Sequence, residues 1–355
     1  MRKSINLLII SALSVIVTVN SSAQIKDVAT MLSGSTKDAE ALLQAYLKPY
    51  ANAFGADLNG GWYNTAKPHS LLGFNITASL SAAFIPKADR EYDASKLGLT
   101  GTVTGTTSQT VAGKKESGQT ITYPSLGGLS YKTPKGTNWG IIPAPMFQLG
   151  IGIVKETDLT FRYVPNMNVG DFGSVGLWGI GVKHSLKQYI PGIKMAPFFH
   201  LSVFLGYTKM KTDVKMSFKP ADYNDLLDPD PVDNTTKAFD NQKMAMEFKG
   251  FTGNILASFD LPVVTFYGGV GISSTNASLK LTGDYPLPSL NGSQVEITDG
   301  VTNPINIKMK SKDGSATKPR LNAGIKFKMG IIHLHFDYTY ANYSVVTTGL
   351  GISFR

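Results

Sequence analysis

From Leu321 to the end of the chain, polar and apolar positions alternate in three successive runs. Leu321, Ala323, Ile325, Phe327 and Met329 are apolar, with Asn322, Gly324, Lys326 and Lys328 between them. After Gly330–Ile331 the apolar set moves to Ile332, Leu334, Phe336, Tyr338 and Tyr340, and His333, His335, Asp337 and Thr339 take the other parity. Val346, Thr348, Leu350, Ile352 and Phe354 make the third run, opposite Thr347, Gly349, Gly351 and Ser353. Successive side chains of a strand point to opposite faces, so each run has one oily and one polar face. Three such runs with an aromatic-rich oily face, ending at Phe354–Arg355, predict an all-β membrane protein: an antiparallel transmembrane β-barrel that closes on its last strand.

The same period extends backwards. Leu72, Phe74, Ile76, Ala78, Leu80, Ala82 and Phe84 form an oily face; Asn75, Thr77, Ser79 and Ser81 form a polar one. Further strands are predicted over Pro145–Val154, Thr157–Val164, Ser174–Leu186, Ala196–Phe218, Lys243–Phe259 and Val263–Leu281, which brings the visible count to ten. Within Thr157–Val164, Leu159, Phe161 and Tyr163 point out and Arg162 points in. The alternation changes phase near Thr208 and near Gly250, which reads as β-bulges or short breaks. Weaker strand-like stretches at Leu99–Thr110, Gln119–Tyr123, Val295–Thr298 and Ile305–Lys310 either raise the count to 12 or 14 or form hairpins above the membrane.

The connections alternate in length. Pro86–Ala144, Pro165–Gly173, Lys219–Gln242, Thr282–Lys318 and Ala341–Ser344 fall at one end; Lys155–Glu156, Lys187–Met195, Asp260–Pro262 and Gly330 fall at the other. Outer-membrane barrels keep short turns in the periplasm and long loops outside, and a soluble sandwich has no reason to obey that parity.

The stretch before the barrel is different. Ser35 is a candidate helix N-cap, followed by Ala39, Leu42, Leu43, Tyr46, Leu47 and Tyr50 at helical spacing. The helix is expected to weaken near Pro49, because the residue before a proline avoids the α region. Gly55 to His69 reads as a turn-dense, aromatic stretch. The apolar stripe must be buried somewhere, so residues 24–69 are read as a plug or hatch in or across the periplasmic mouth. The expected divisions are 1–23, 24–69 and 70–355.

Met1–Ala23 reads as a secretory signal peptide: Arg2 and Lys3 supply the positive start, Leu7–Val19 the apolar stretch, and Ser21–Ala23 the small residues before a cut at Gln24. No later segment approaches the ~20 apolar residues of a spanning helix. The chain has no cysteine, which removes disulfides, thiolate metal sites and thiol catalysis. Without the leader's Arg2 and Lys3, 32 basic residues stand against 25 acidic ones, a net charge of +7. An exported chain seldom meets nucleic acid, so this excess is assigned to solvated loops, the lumen and anionic lipid.

Candidate chemistry is sparse. His333, His335 and Asp337 alternate on one face with a spacing that two-His metal sites also use, but a further ligand would be needed and polar lumen faces are common. His200 with Ser202 on an inward face has the residue types of an esterase pair, yet two positions of one strand rarely reach hydrogen-bond distance. Gly268–Gly271 lies within a strand and has no helix after it, as a phosphate loop would require. Asp228, Asp230 and Asp233 lack the glycine and closing glutamate of a calcium loop. No catalytic set, metal or cofactor is therefore assigned. Tyr46, Tyr50, Phe54, Asn59, Trp62, Tyr63 and Asn64 are the candidate ligand or gate residues. Their alternative role is to pack the helix against the barrel rim. Asn75, Arg162, His200, Lys326, Lys328, His333, His335 and Asp337 are the expected lumen-facing polar set.

The signal peptide, the helical segment, Asn59-Gly-Gly-Trp-Tyr-Asn64 and the terminal barrel together resemble an uncharacterised outer-membrane family of Bacteroidota known by a domain-of-unknown-function label. More distantly, a helical segment before a barrel is similar to the long-chain fatty-acid transporter family. That likeness implies 14 strands, an N-terminal hatch and hydrophobic cargo. The transporters' Asn-Pro-Ala-Gly hatch motif is absent here.

Two functions follow as expectations. One is passive transport of small hydrophobic or amphipathic molecules, gated by the N-terminal segment. The other is a structural or surface-interaction barrel with a closed lumen. An outer-membrane acyl hydrolase or metal-binding enzyme ranks third. The expected location is the outer membrane of a Gram-negative bacterium. The expected partners are outer-membrane lipid, the barrel-assembly machinery and a small hydrophobic ligand.

Overall fold

The computed structural model describes residues 31–33, 35–168, 173–216, 218, 241–285, 287–291, 294–298, 306–309 and 317–354. Its one long helix, α1, is Thr36–Asn59. Ten strands follow: β1 Phe74–Phe84, β2 Ile141–Ile153, β3 Thr157–Asn168, β4 Ser174–Ser185, β5 Phe199–Lys215, β6 Lys243–Asp260, β7 Val264–Thr282, β8 Thr317–Met329, β9 Ile332–Tyr340 and β10 Ser344–Phe354. Each pairs antiparallel with its sequence neighbours, and β1 closes on β10 from Phe74↔Phe354 to Phe84↔Ser344. The result is a ten-stranded barrel. Among the described residues no helix is long and apolar enough to cross a membrane.

The count stays at ten because the weaker segments are too short to reach across. Thr102–Thr104, Thr120–Tyr123 and Leu129–Lys132 form a small sheet of their own within the first long loop. Leu287–Asn291 and Gln294–Thr298 form a hairpin, and Asn306–Met309 pairs only with the far end of β7. The long loops gather at one end and the short turns at the other. At the latter, Lys155 and Glu156 both take left-handed backbone, as a two-residue turn between twisted strands requires.

The outer wall carries the predicted oily face: Phe161, Phe327 and Phe336 are exposed, and Phe74 and Leu334 share their parity. The inner wall carries the polar residues, with Thr77, Ser81, Thr208, Thr252 and Thr347 fully buried. The bulges expected near Thr208 and Gly250 are absent. The β5–β6 register runs unbroken through Thr208↔Gly250, and Phe204, Met210, Phe248 and Leu256 hold inward parity. Hydropathy changes phase there because the wall turns apolar where the N-terminal segment packs on it. The one shift in barrel register falls between Val164 and Met167 of β3.

α1 also differs from expectation in length and place. It begins at the predicted cap, with the Ser35 hydroxyl accepting from Asp38 N at 3.1 Å. It then runs through Pro49 and Gly55 to Asn59. A proline inside a helix leaves the carbonyl four residues earlier unpaired. Close by, Val111 of the first loop donates to the Tyr46 carbonyl at 3.0 Å, so loop backbone supports the weakened turn. Gly55 serves a close approach rather than a turn, because a Cβ there would lie 2.0 Å from Thr275 Cγ2.

The helix occupies the long-loop end of the barrel, the opposite mouth from the one expected. Its first turn is tied to the first loop, where Thr100 Oγ1 donates to Asp38 at 2.6 Å. Tyr46 donates to the Lys135 carbonyl at 2.8 Å, and Tyr50 meets Thr137 at 2.9 Å. The tall extensions of β5, β6 and β7 wall it in. From Gly60 the chain descends the bore as extended segment and turn, and enters β1 at the short-turn end. A ten-stranded bore therefore never has to hold a helix along its whole depth.

Candidate functional site

The bore is filled by residues 58–69, and the wall side chains that hold them are mostly charged. The first grip is at the end of α1, whose last carbonyls have no partner within the helix. Arg162 of β3 donates to the Leu58 carbonyl at 2.9 Å and to the Gly60 carbonyl at 2.6 Å. Arg320 of β8, from another side, donates to the Asn59 carbonyl and, at 2.8 Å, to Thr252. Two guanidiniums at the negative end of the helix dipole satisfy three consecutive carbonyls. Gly61 (φ 63°) then turns the chain away, in a backbone region that favours glycine.

Trp62 and Tyr63 come next. Trp62 lies under the Arg162 guanidinium, 3.6 Å from ring centroid to Cζ, and against Phe204 at 5.4 Å. Three wall glycines give it room: a Cβ on Gly179, Gly181 or Gly206 would lie 3.2, 3.1 or 2.8 Å from the indole. The Tyr63 hydroxyl donates to Asn322 Oδ1 at 2.7 Å, and its ring meets Tyr267 edge-on. Asn64 accepts from Lys326 at 2.9 Å and faces His333 Nε2 at 3.3 Å.

A second grip sits at the short-turn end. Asp158 of β3 and Lys183 of β4 are direct cross-strand partners, 2.9 Å apart. Asp158 also takes the backbone N–H of His69 at 2.8 Å and stands 3.0 Å from its Nδ1, while Lys183 donates to the Lys67 carbonyl at 3.2 Å. Asp260 accepts from Thr65 at 2.9 Å, from Ser258 at 3.0 Å and from Thr265 at 2.6 Å. The Asp158 and Asp260 carboxylates are thus matched by ammonium, hydroxyl and amide donors.

All seven candidate gate residues are in or beside this plug. Tyr46, Tyr50 and Phe54 belong to its helical part, with Phe54 on Phe248 at 5.4 Å. Asn59 donates to the Ser274 carbonyl and to Thr275, both at 3.2 Å. These aromatics pack against wall and plug, and Trp62 and Tyr63 border a cavity of about 10 Å³. Of the lumen set, Arg162, Lys326, His333, His335 and Asp337 are buried on the inner wall. Asn75 and Lys328 share their parity with buried neighbours. His200 stands 3.8 Å from Asp260. Ser202 donates to the Ala66 carbonyl, so its hydroxyl holds the plug.

The His333 and His335 rings lie 6.2 Å apart, and among the described residues no three His, Cys, Asp or Glu side chains converge to hold a metal. Gly269 lies in strand β7 against Leu256, as strand glycines that relieve crowding do. The signal segment and Asp228–Asp233 lie outside the described residues. Sequence reasoning missed Asp158, Lys183, Arg320 and Asp260. The first three carried the signal that exposed Arg162: a charge at inward parity on a strand.

Among the described residues, two cavities inside the bore are small. Cavities of about 30 Å³ beside Asn59 and Arg320 and about 10 Å³ beside Trp62 and Asp158 are little more than water-sized. At the long-loop mouth, between α1 and the first loop, lies an open cleft of about 480 Å³. Lys48, Asp89, Glu91, Tyr92, Lys96 and Tyr343 line it.

Residues 1–354 of the chain are matched by a family of unknown function, DUF6588. The chain belongs to that family. DUF6588 membership agrees with the expected likeness to an uncharacterised barrel family, and it brings no cargo or activity with it. Comparison with curated proteins gave no match. Among solved structures, the outer membrane protease OmpT from Escherichia coli is 9% identical, over 82% of this chain and 100% of that one, with a TM-score of 0.32. The autotransporter NalP translocator domain from Neisseria meningitidis is 11% identical over 81% and 90%, with a TM-score of 0.27. Ail, the attachment invasion locus protein of Yersinia pestis, is 12% identical over 80% and 99%, with a TM-score of 0.24.

Proposed function

We propose that this protein is an outer-membrane barrel sealed by its own N-terminal segment, and that it acts at its outer face. The carrying observation is the contrast in space: water-sized cavities along the bore, against a cleft of about 480 Å³ at the long-loop mouth. Cavities of that larger size suit small ligands, and this one offers both signs of charge beside tyrosine rings. Long loops mark the outer side of such barrels, which puts the cleft at the cell surface. Its occupant is then a small polar molecule carrying both charges, or a partner's side chains.

Gated passage through the bore is the second reading. It is favoured by the seal being made of polar contacts, which are reversible, with no covalent link. One experiment addresses both. In planar bilayers the purified full chain should show no ion conductance, while a chain lacking residues 24–69, and with them the segment that fills the bore, should fold and conduct. Steady conductance from the full chain would contradict the sealed barrel. Conductance that a small amphipathic molecule switches on in the full chain would favour the gate.

A further inference from the structure

The outward face of β5 and β6 changes character abruptly. From Phe199 and Phe259 upwards it is apolar, with Leu205, Ile255 and Phe251 exposed. An aromatic rung of Tyr163, Trp178, Tyr207 and Phe251 tops this band; Trp178 and Tyr207 lie 5.7 Å apart on neighbouring strands. Aromatic rungs of this kind sit where a bilayer's hydrocarbon meets its headgroups. Immediately above, at the same outward parity, come Lys209 and Lys249 as direct cross-strand partners, then Lys211 opposite Glu247. Lys209 is also the partner of Trp178 across β4.

These side chains form one cluster. Glu247 holds Lys209 at 2.8 Å, Lys249 at 2.9 Å and Lys211 at 3.8 Å. Three ammonium groups around one carboxylate leave an excess of two positive charges. Lys211 and Lys249 keep much of their side-chain surface open, 68% and 46%. Farther out, Lys215 and Lys243 are cross-strand partners, and the Asp213 carboxylate takes Lys243 at 3.0 Å. The wall just above the aromatic rung is therefore basic over two adjacent strands, β5 and β6. Glu247 gathers the ammonium groups without neutralising them.

We infer that Lys209, Lys211 and Lys249 form a binding site for the phosphate of an anionic lipid headgroup in the outer leaflet. The lipid's chains would lie along Leu205, Ile255 and Phe251, and its phosphate would sit between the exposed ammonium groups. Each basic residue at a membrane surface adds to such binding, and pre-gathered ones lose less freedom on doing so. This inference needs the barrel to sit in a membrane but is independent of whether the bore is sealed.

The test uses the purified full chain in lipid A-containing vesicles, with dephosphorylated lipid A as the matched control, and native mass spectrometry of bound lipid. The wild type should retain the phosphorylated form selectively. The K209Q/K211Q/K249Q variant should lose at least about ten-fold in apparent affinity while keeping the heat-modifiable band of a folded barrel. The exposed single change Lys211→Gln, which touches no packing, should lose part of it. Equal binding by wild type and triple variant would overturn the site. So would equal retention of the dephosphorylated lipid, or displacement by millimolar inorganic phosphate, which would mark a simple ion site instead of a lipid one.

Discussion

Arg162 shows how much one side chain carries. It is fully buried, caps two helix-end carbonyls and covers the Trp62 ring. Arg162→Ala should loosen the plug by about 2–4 kcal/mol, since hydrogen bonds from a charged donor are lost and carbonyls are left unpaired in a dry site. Faster hydrogen exchange at residues 58–66 would read this out. Arg162→Lys should not restore protection, because one ammonium cannot span both carbonyls as the planar fork does. Gly206→Val tests the slot beside it. A Cβ there already meets Trp62 and Phe204 at 2.8 Å, so valine should force the indole to move, at a cost of about 1–3 kcal/mol. Trp62 fluorescence, in a chain with Trp139 and Trp178 replaced by Phe, should shift to the red; an unchanged spectrum would refute the slot. Parity in the sequence revealed that Arg162 points inward. It could not reveal the partner, because a backbone carbonyl leaves no mark in side-chain pattern.

At the scale of elements, the strands were legible and the plug only partly so. All ten strands follow from alternation, since a wall with lipid outside and polar groups inside writes itself into the sequence at period two. The pattern misled where the interior was apolar: Phe204, Met210, Phe248 and Leu256 imitate a phase change although the register never slips. Local propensity predicts a weakening of α1 at Pro49, which tertiary packing and the Val111 bond to Tyr46 offset, so that the helix runs on to Asn59. Its stripe of Leu42, Leu43 and Tyr46 said that it must be buried, but not at which mouth. The first loop, which fixes the mouth, contains short elements held by side chains. There, hydrogen bonds from Ser95 and then Gln119 hold the Asp93 carboxyl at about 2, below its usual value. A depressed carboxyl stabilises above the unfolded value of about 3.9 and loses that contribution as pH falls towards its folded value. The turn Ala94–Leu97 should therefore loosen between about pH 4 and pH 2. Hydrogen exchange corrected for its intrinsic pH dependence should show this in the wild type. Asp93→Asn should flatten the response.

Over the whole molecule, the chain enters the barrel from the long-loop side, descends through the bore and only then begins to build the wall. Residues 60–69 touch the wall on many sides, among them Arg162 of β3, Ser258 of β6, Tyr267 of β7 and Asn322 of β8. Charged grips hold this segment at both the helix end and the short-turn end. It also places the first turn of α1 on the same side as the long loops. The chain has no cysteine, so a single introduced thiol reports its own location. Lys37 is exposed at the start of α1, and Glu156 is exposed in a short turn. With a membrane-impermeant maleimide on intact cells, Lys37→Cys should be labelled and Glu156→Cys should not, until the outer membrane is opened. Labelling of Lys37→Cys only after the membrane is opened would put α1 on the periplasmic side and contradict a plug threaded from outside.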